Sequence, residues 1–252
     1  MVNMLSPINA FRSMPIHPHT FIDVKADGGR RPQGGRYVME KTIVVIGAGK
    51  GLGNAVARRF GREGYRAALV ARSTESLSAY EDEFAKAGME AKGYAADVTD
   101  IASLDAAIEA IQADLGDPDV VVYNVGITAP DEQPLTAADL QRHFAADVVG
   151  AYEAIERFAT DGFAARGGAI VLTGGVAAVS PFPGYLCLAL DKAALRNLAI
   201  AKNAELAERG IFVGTVMVCG VIGGDDHFAP DNIAERFWEI AERRDEVELR
   251  YE

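Results

Sequence analysis

Apolar residues run unbroken from Ile43 to Ile46. A glycine-rich turn follows, and then Ala55, Val56 and Phe60 recur at helical spacing. That pattern predicts a buried strand, a tight turn and a helix. The same alternation continues along the chain. Short apolar runs predict strands at 67–71, 90–96, 120–123, 168–173 and 211–218. Periodicity near 3.6 predicts helices at 73–87, 101–115, 137–144, 148–165, 184–209 and 231–244. Ser73 stands where an N-cap belongs. The last of these helices places Ile233, Phe237, Ile240 and Ala241 on one face. Residues 246–252 alternate strictly, with Val247, Leu249 and Tyr251 to one side, as in a short half-buried strand. Repeated strand–helix alternation predicts a parallel, doubly wound α/β sheet with helices on both faces, a three-layer single domain over 40–252.

Composition narrows the partners. The chain has 252 residues, 49% of them hydrophobic, enough for one large core. Net charge is −11, and residues 1–39 carry five basic side chains against two acidic ones, so the acidity lies in the remainder. An acidic body argues against nucleic acid or an anionic membrane as partner. No apolar run reaches membrane-spanning length. Cys187 and Cys219 stand outside any paired or metal-binding spacing, as buried thiols do in a reducing, cytoplasmic compartment. The four His residues form no metal-ligand cluster in sequence. Residues 1–39 lack periodicity and read as a disordered extension or a misassigned start, with the working start at Met39.

The turn after the first strand carries the chemistry. Gly47, Gly49, Gly51 and Gly53, with Lys50 and Leu52 between them, lie between strand and helix. Glycines there let the backbone turn sharply and approach a pyrophosphate, which the N–H groups and positive end of the helix attract. This is the nucleotide cradle of a Rossmann-type domain. At the end of the second strand an acid would hold the ribose of NAD and repel the 2′-phosphate of NADP. The chain instead reads Leu69-Val70-Ala71-Arg72-Ser73. Arg72 can pair with a phosphate and stack on adenine, and Lys50 offers a second cation. The expectation is NADP(H), with NAD(H) disfavoured.

Residues 41–252 resemble the short-chain dehydrogenase/reductase family. The family's TGxxxGxG turn is here Ile46 to Gly53. Its adenine-contacting acid is Asp97, with Val98 beside the ring. Its NNAG motif is Tyr123-Asn124-Val125-Gly126, and its YxxxK is Leu188 to Lys192. The turn after the sixth strand is Cys219-Gly220, with Ile222 placed toward the nicotinamide. The resemblance implies cofactor contacts at Gly47, Gly49, Lys50, Gly51, Leu52, Gly53, Arg72, Asp97, Val98, Asn124, Gly126, Lys192 and Ile222. It also implies assembly as a homodimer or homotetramer through the helices at 148–165 and 184–209.

The family's catalytic pattern is mostly replaced. Its general-acid Tyr is Leu188, its carbonyl-binding Ser is Gly175, and its water-holding Asn is Asp147; Lys192 remains. A positioned acid contributes about 10²–10⁴-fold and an oxyanion donor roughly 10²–10³-fold, and neither Leu188 nor Gly175 supplies these. Lys192 and Asp147 are therefore the catalytic candidates, Lys192 through the ribose or a proton relay and Asp147 as acid or partner of Lys192. Tyr185, Thr173 and His227 are weaker stand-ins. Three functions stay open. One is an NADP(H)-dependent oxidoreductase acting on a small molecule that needs little acid help, such as an imine or activated double bond. The second is a catalytically silent NADP(H)-binding sensor or oligomer partner, and the third a purely structural subunit.

Overall fold

The structure is a computed structural model that describes residues 40–252. The readings for 1–39 lie outside the described residues. The elements are β1 (Thr42–Ile46), α1 (Leu52–Gly61), β2 (Arg66–Ala71), α2 (Thr74–Lys86), β3 (Ala91–Ala95), α3 (Ile101–Leu115), β4 (Val120–Tyr123), α4 (Ala137–Phe144), α5 (Gly150–Phe158), α6 (Asp161–Ala165), β5 (Ala169–Gly175), α7 (Leu186–Leu206), β6 (Phe212–Val218), α8 (Pro230–Arg243) and β7 (Glu248–Tyr251). Seven strands pair in parallel in the order β3-β2-β1-β4-β5-β6-β7. The order reverses between β1 and β4, and the crevice outside the carboxyl ends of these strands is where such sheets bind ligands.

Period-two alternation sorts the strand residues between two cores. Val44 and Ile46 of β1 join Leu104 and Ile108 of α3, Ile155 and Phe158 of α5 and Leu195 of α7. Ile43 and Val45 point the other way, to Val56 and Phe60 of α1, Phe84 of α2 and Phe237 of α8. Both faces of the sheet are therefore covered, which is why the strands read as continuous apolar runs. No helix among the described residues is long and apolar enough to cross a membrane.

Local chemistry sets the ends. Ser73 Oγ accepts from the Ser76 N–H and caps α2. Asp100 accepts from the N–H groups of Ala102 and Ser103 and caps α3. Two long helices are shorter than the periodicity predicts. The stretch 148–165 is not one helix. A π-helical turn at Ala145–Val149 leads into α5, and the backbone leaves helical geometry at Ala159. Thr160 then caps α6 by accepting from the Phe163 N–H at 3.0 Å. The stretch 184–209 becomes helical only at Leu186, because Gly184 has φ 80° and Tyr185 is the N-cap. Asp131 satisfies the helix entrance, accepting from the N–H groups of Leu186 and Cys187 at 2.5 and 3.2 Å.

Candidate cofactor and active site

The β1–α1 turn divides its glycines into two kinds. Gly47 has φ 93°, and a Cβ there would come 2.6 Å from the Asn124 carbonyl oxygen. A Cβ on Gly53 would lie 2.4 Å from the Gly47 carbonyl oxygen. These two are required by the fold itself. Gly49 and Gly51 differ, since a Cβ on either would meet nothing within 4 Å. They border open space at the start of α1, whose entrance has no side-chain cap and whose first turn has no acid. That donor set and that space fit a pyrophosphate. Asn124 locks the turn from β4. Its Nδ2 donates to the Gly47 carbonyl at 3.1 Å, and its Oδ1 accepts from Thr173 Oγ1 at 2.9 Å.

Beside the turn is a cleft of about 420 Å³ whose lining includes Gly47, Arg72, Asp97, Val98, Asn124 and Gly126. Asp97 is held below the usual carboxylate range. The Thr99 N–H and hydroxyl both donate to its Oδ1, at 2.9 and 2.7 Å, and the Arg72 guanidinium adds its field. Arg72 and Asp97 line the same cleft. Lys50 is exposed on the turn, outside the residues lining this cleft. Arg142 of α4 does line it, 3.1 Å from Asp139. Sequence reasoning missed Arg142, and no local motif marks it.

A second cleft of about 490 Å³ continues toward β6, lined by Leu52, Asn124, Gly126, Gly175, Leu188, Lys192 and Ile222 among others. The positions that carry the resemblance therefore meet in one place. Leu188 and Gly175 present no proton donor there. A Cβ on Gly175 would find its nearest neighbour 3.8 Å away, so steric crowding does not explain the missing Ser. Thr173, Tyr185 and Phe182 also line the cleft. The Thr173 hydroxyl is already donated to Asn124. Tyr185 precedes the helix rather than sharing its face with Lys192, and it packs against Phe182 at 4.9 Å. His227 is turned to the last strand. It stacks on Tyr251 at 4.6 Å and reaches the Glu252 carbonyl at 2.7 Å.

Lys192 and Asp147 form a buried pair. Lys192 is 5% exposed and Asp147 is 0% exposed. Lys192 Nζ lies 3.4 Å from Asp147 Oδ1 and donates to the Thr173 carbonyl at 3.0 Å. The Ile127 N–H donates to Asp147 Oδ2 at 3.0 Å. A Cβ on Gly126 would come 3.0 Å from Asp147 Oδ1 and 3.1 Å from Lys192 Nζ, so Gly126 makes room for the pair.

Tyr123 explains how Asp147 is placed. In the π-helical turn the Gly150 N–H bonds back to Ala145, which leaves the Ala146 carbonyl for another donor. The buried Tyr123 hydroxyl donates to it. Burial raises the Tyr123 phenol, and the Asp147 charge raises it further, so it stays a donor. A Cβ on Gly150 would sit 2.5 Å from that hydroxyl, so Gly150 is the space Tyr123 needs. The widened turn carries Asp147 toward Lys192.

Comparison with known proteins bears on the family and the fold. A family model described as short chain dehydrogenase matches residues 41–226. The 3beta-hydroxysteroid dehydrogenase 1 of Eggerthella lenta is 34% identical over 184 residues, which make up 70% of this chain and 69% of that protein. The crystal structure of a metagenomic short-chain oxidoreductase in complex with NADP is 27% identical with a TM-score of 0.74, covering 84% of this chain and 97% of that one. An actinorhodin polyketide ketoreductase variant solved with NADPH shares the fold at a TM-score of 0.77 and 22% identity, over 84% of this chain and 95% of that one.

Proposed function

The chain belongs to the short chain dehydrogenase family, and on that premise we propose that it is an oxidoreductase that holds NADP(H) in preference to NAD(H). The carrying observation is the open cradle at Gly49 and Gly51, at the uncapped start of α1, with Arg72 just after β2 and no acid in the stretch Leu69–Ser73 of the chain. Gly47 to Gly53 would hold the pyrophosphate. Arg72, with Arg142 in the lining of the same cleft, would meet the 2′-phosphate, while Lys50 stays on the turn outside that lining. Asp97 and Val98 would flank the adenine, and Asn124, Gly126, Lys192 and Ile222 would face the nicotinamide riboside. When bound, the reduced nicotinamide supplies a hydride.

The chain's own residues restrict what can accept it. With Leu188 and Gly175 in the cleft wall, the ammonium of Lys192 is the charged donor at hand, and Asp147 fixes it. An imine or an activated double bond suits such a site better than a plain ketone, whose developing alkoxide needs a nearby acid. The largely apolar lining also fits a second reading, a silent NADP(H)-binding protein. A homo-oligomer is part of the proposal. Phe144, Val149 and Tyr152 on one side and Leu190 and Ile200 of α7 on the other are large exposed apolar side chains, of the kind an interface covers.

The test is an equilibrium titration with NADPH and with NADH, followed by nucleotide fluorescence and thermal midpoint. Tighter NADPH binding supports the cofactor reading, and absence of binding by either removes it. NADPH consumption across imines, enones and ketones then separates enzyme from silent binder.

A further inference from the structure

The β1–α1 turn has more backbone donors than it leaves for a ligand, and one buried side chain decides the division. The N–H groups of Gly47 and Ala48 both donate to the Val70 carbonyl, each at 2.9 Å. The Gly49 N–H donates to Asn54 Oδ1 at 3.1 Å. The Asn54 N–H donates back to the Gly49 carbonyl at 3.1 Å. Asn54 therefore holds Gly49 by both its donor and its acceptor. The N–H groups that follow, of Lys50, Gly51, Leu52 and Gly53, meet no backbone acceptor among the described residues, and no side chain caps the helix.

Asn54 is a costly residue for its place. It lies in the first turn of α1 and is 0% exposed. Its neighbours on that helix, Leu52, Ala55, Val56 and Phe60, belong to the apolar core. Its Nδ2 is buried without a partner, and an orphaned amide donor in such surroundings is unfavourable. A leucine would carry the same branched shape with no orphaned donor, but it would accept nothing from Gly49. An aspartate would accept from Gly49, but it would bring a carboxylate into the turn where an anion is to bind. The amide supplies an acceptor at this depth without a charge.

We propose that Asn54 is a positioning residue of the dinucleotide cradle. By taking up the Gly49 N–H, it fixes the turn in the shape that leaves the N–H groups of Lys50, Gly51, Leu52 and Gly53 for a pyrophosphate. This rests on the reading of the turn as a pyrophosphate cradle; the glycine pattern itself assigns no role to position 54. Gly49 needs such a hold. A Cβ on it would meet nothing within 4 Å, and glycine loses more conformational freedom on ordering than any other residue. The bond to Asn54 orders Gly49 before a ligand arrives, which lowers the cost of binding. The pyrophosphate is common to NADPH and NADH, so loss of the bond weakens both alike. That separates Asn54 from Arg72, whose effect depends on the 2′-phosphate.

The test compares the unsubstituted protein with Asn54→Leu and Asn54→Asp. Amide hydrogen exchange at Gly49, read by NMR without ligand, reports the bond. Dissociation constants for NADPH and NADH report its use. Gly49 is expected to be protected in the unsubstituted protein and in Asn54→Asp, which keeps an acceptor oxygen, and to lose protection in Asn54→Leu. Asn54→Leu is expected to weaken NADPH and NADH by the same factor, roughly three- to tenfold for one hydrogen bond. Its ligand-free thermal midpoint should be unchanged or raised. Asn54→Ala, which adds no bulk, gives the same readings if leucine prevents folding. An unprotected Gly49 in the unsubstituted protein overturns the proposal without any variant. An affinity that falls only in step with a lowered thermal midpoint overturns it too, as a purely structural role would give that result. If NADPH binds the unsubstituted protein and Asn54→Leu equally well, the proposal alone is removed. If neither dinucleotide binds the unsubstituted protein, the cofactor reading falls and the proposal with it.

Discussion

The two halves of the crevice are built on different terms. At the β1–α1 end, proposed for adenosine and pyrophosphate, backbone shape does the work. Gly47 is fixed by close approach and positive φ and Gly53 by close approach, Gly49 and Gly51 leave open space, and Asn124 fastens the turn to β4. At the end toward β6, proposed for the nicotinamide, the wall is largely apolar and the charged side chains are nearly buried. Leu188 and Gly175 face the cleft, while Lys192, Asp147, Asp191 and His143 are all nearly buried. The first half depends on backbone geometry that tolerates no added atom. The second depends on charge balance in a low-dielectric interior, where the loss of one group exposes another.

The comparison can be broken most severely at the charged end. Asp147→Ala leaves the Lys192 ammonium buried without its partner, which costs about 3–5 kcal/mol. Urea unfolding should show this as a lower midpoint at unchanged m-value. A smaller loss would mean that the Thr173 carbonyl and water suffice for Lys192. At the backbone end, Gly47→Ala forces a side chain into φ 93° against the Asn124 carbonyl, for a cost of about 1–3 kcal/mol from strain alone. Dinucleotide binding should fall with it. Gly49→Ala should leave stability unchanged and weaken only binding, because its Cβ meets no protein atom within 4 Å. The remaining change is at the Arg72 edge of the cleft. Arg72→Gln removes one charge-assisted contact worth about 1.5–3 kcal/mol. Isothermal titration should therefore show NADPH weakened tenfold or more with NADH nearly unchanged. Equal weakening of both would assign Arg72 to adenine stacking alone.

Much of the first half was legible because it is contiguous. Strand, glycine turn and helix follow one another within residues 42–61, and the absence of an acid after β2 is a single-position observation. The boundaries at Ile101–Leu115, Val120–Tyr123 and Ala137–Phe144 were equally legible, since a clear cap or a clean apolar run marks each. The second half was legible only as a list of replacements. That Tyr123 reaches the Ala146 carbonyl, and that Gly150 leaves room for it, depends on two elements meeting across the sheet face. His143 and Asp191 lie on different helices, so no local period joins them. The break at Ala159 and Thr160 was hidden because apolar periodicity runs through it, while the Thr160 hydroxyl decides the new helix start.

The central claim is that the cofactor half is complete while the wall facing the substrate lacks its acid. The most direct measurement is the rate of NADPH-dependent reduction of a plain ketone by the unsubstituted protein and by the double variant Leu188→Tyr/Gly175→Ser. Both positions line the cleft, and Gly175 has room for a side chain. The account predicts a rate for the double variant about 10²-fold or more above the unsubstituted protein. A ketone reductase activity in the unsubstituted protein equal to that of the variant would contradict it, and would place a working proton donor elsewhere in the cleft.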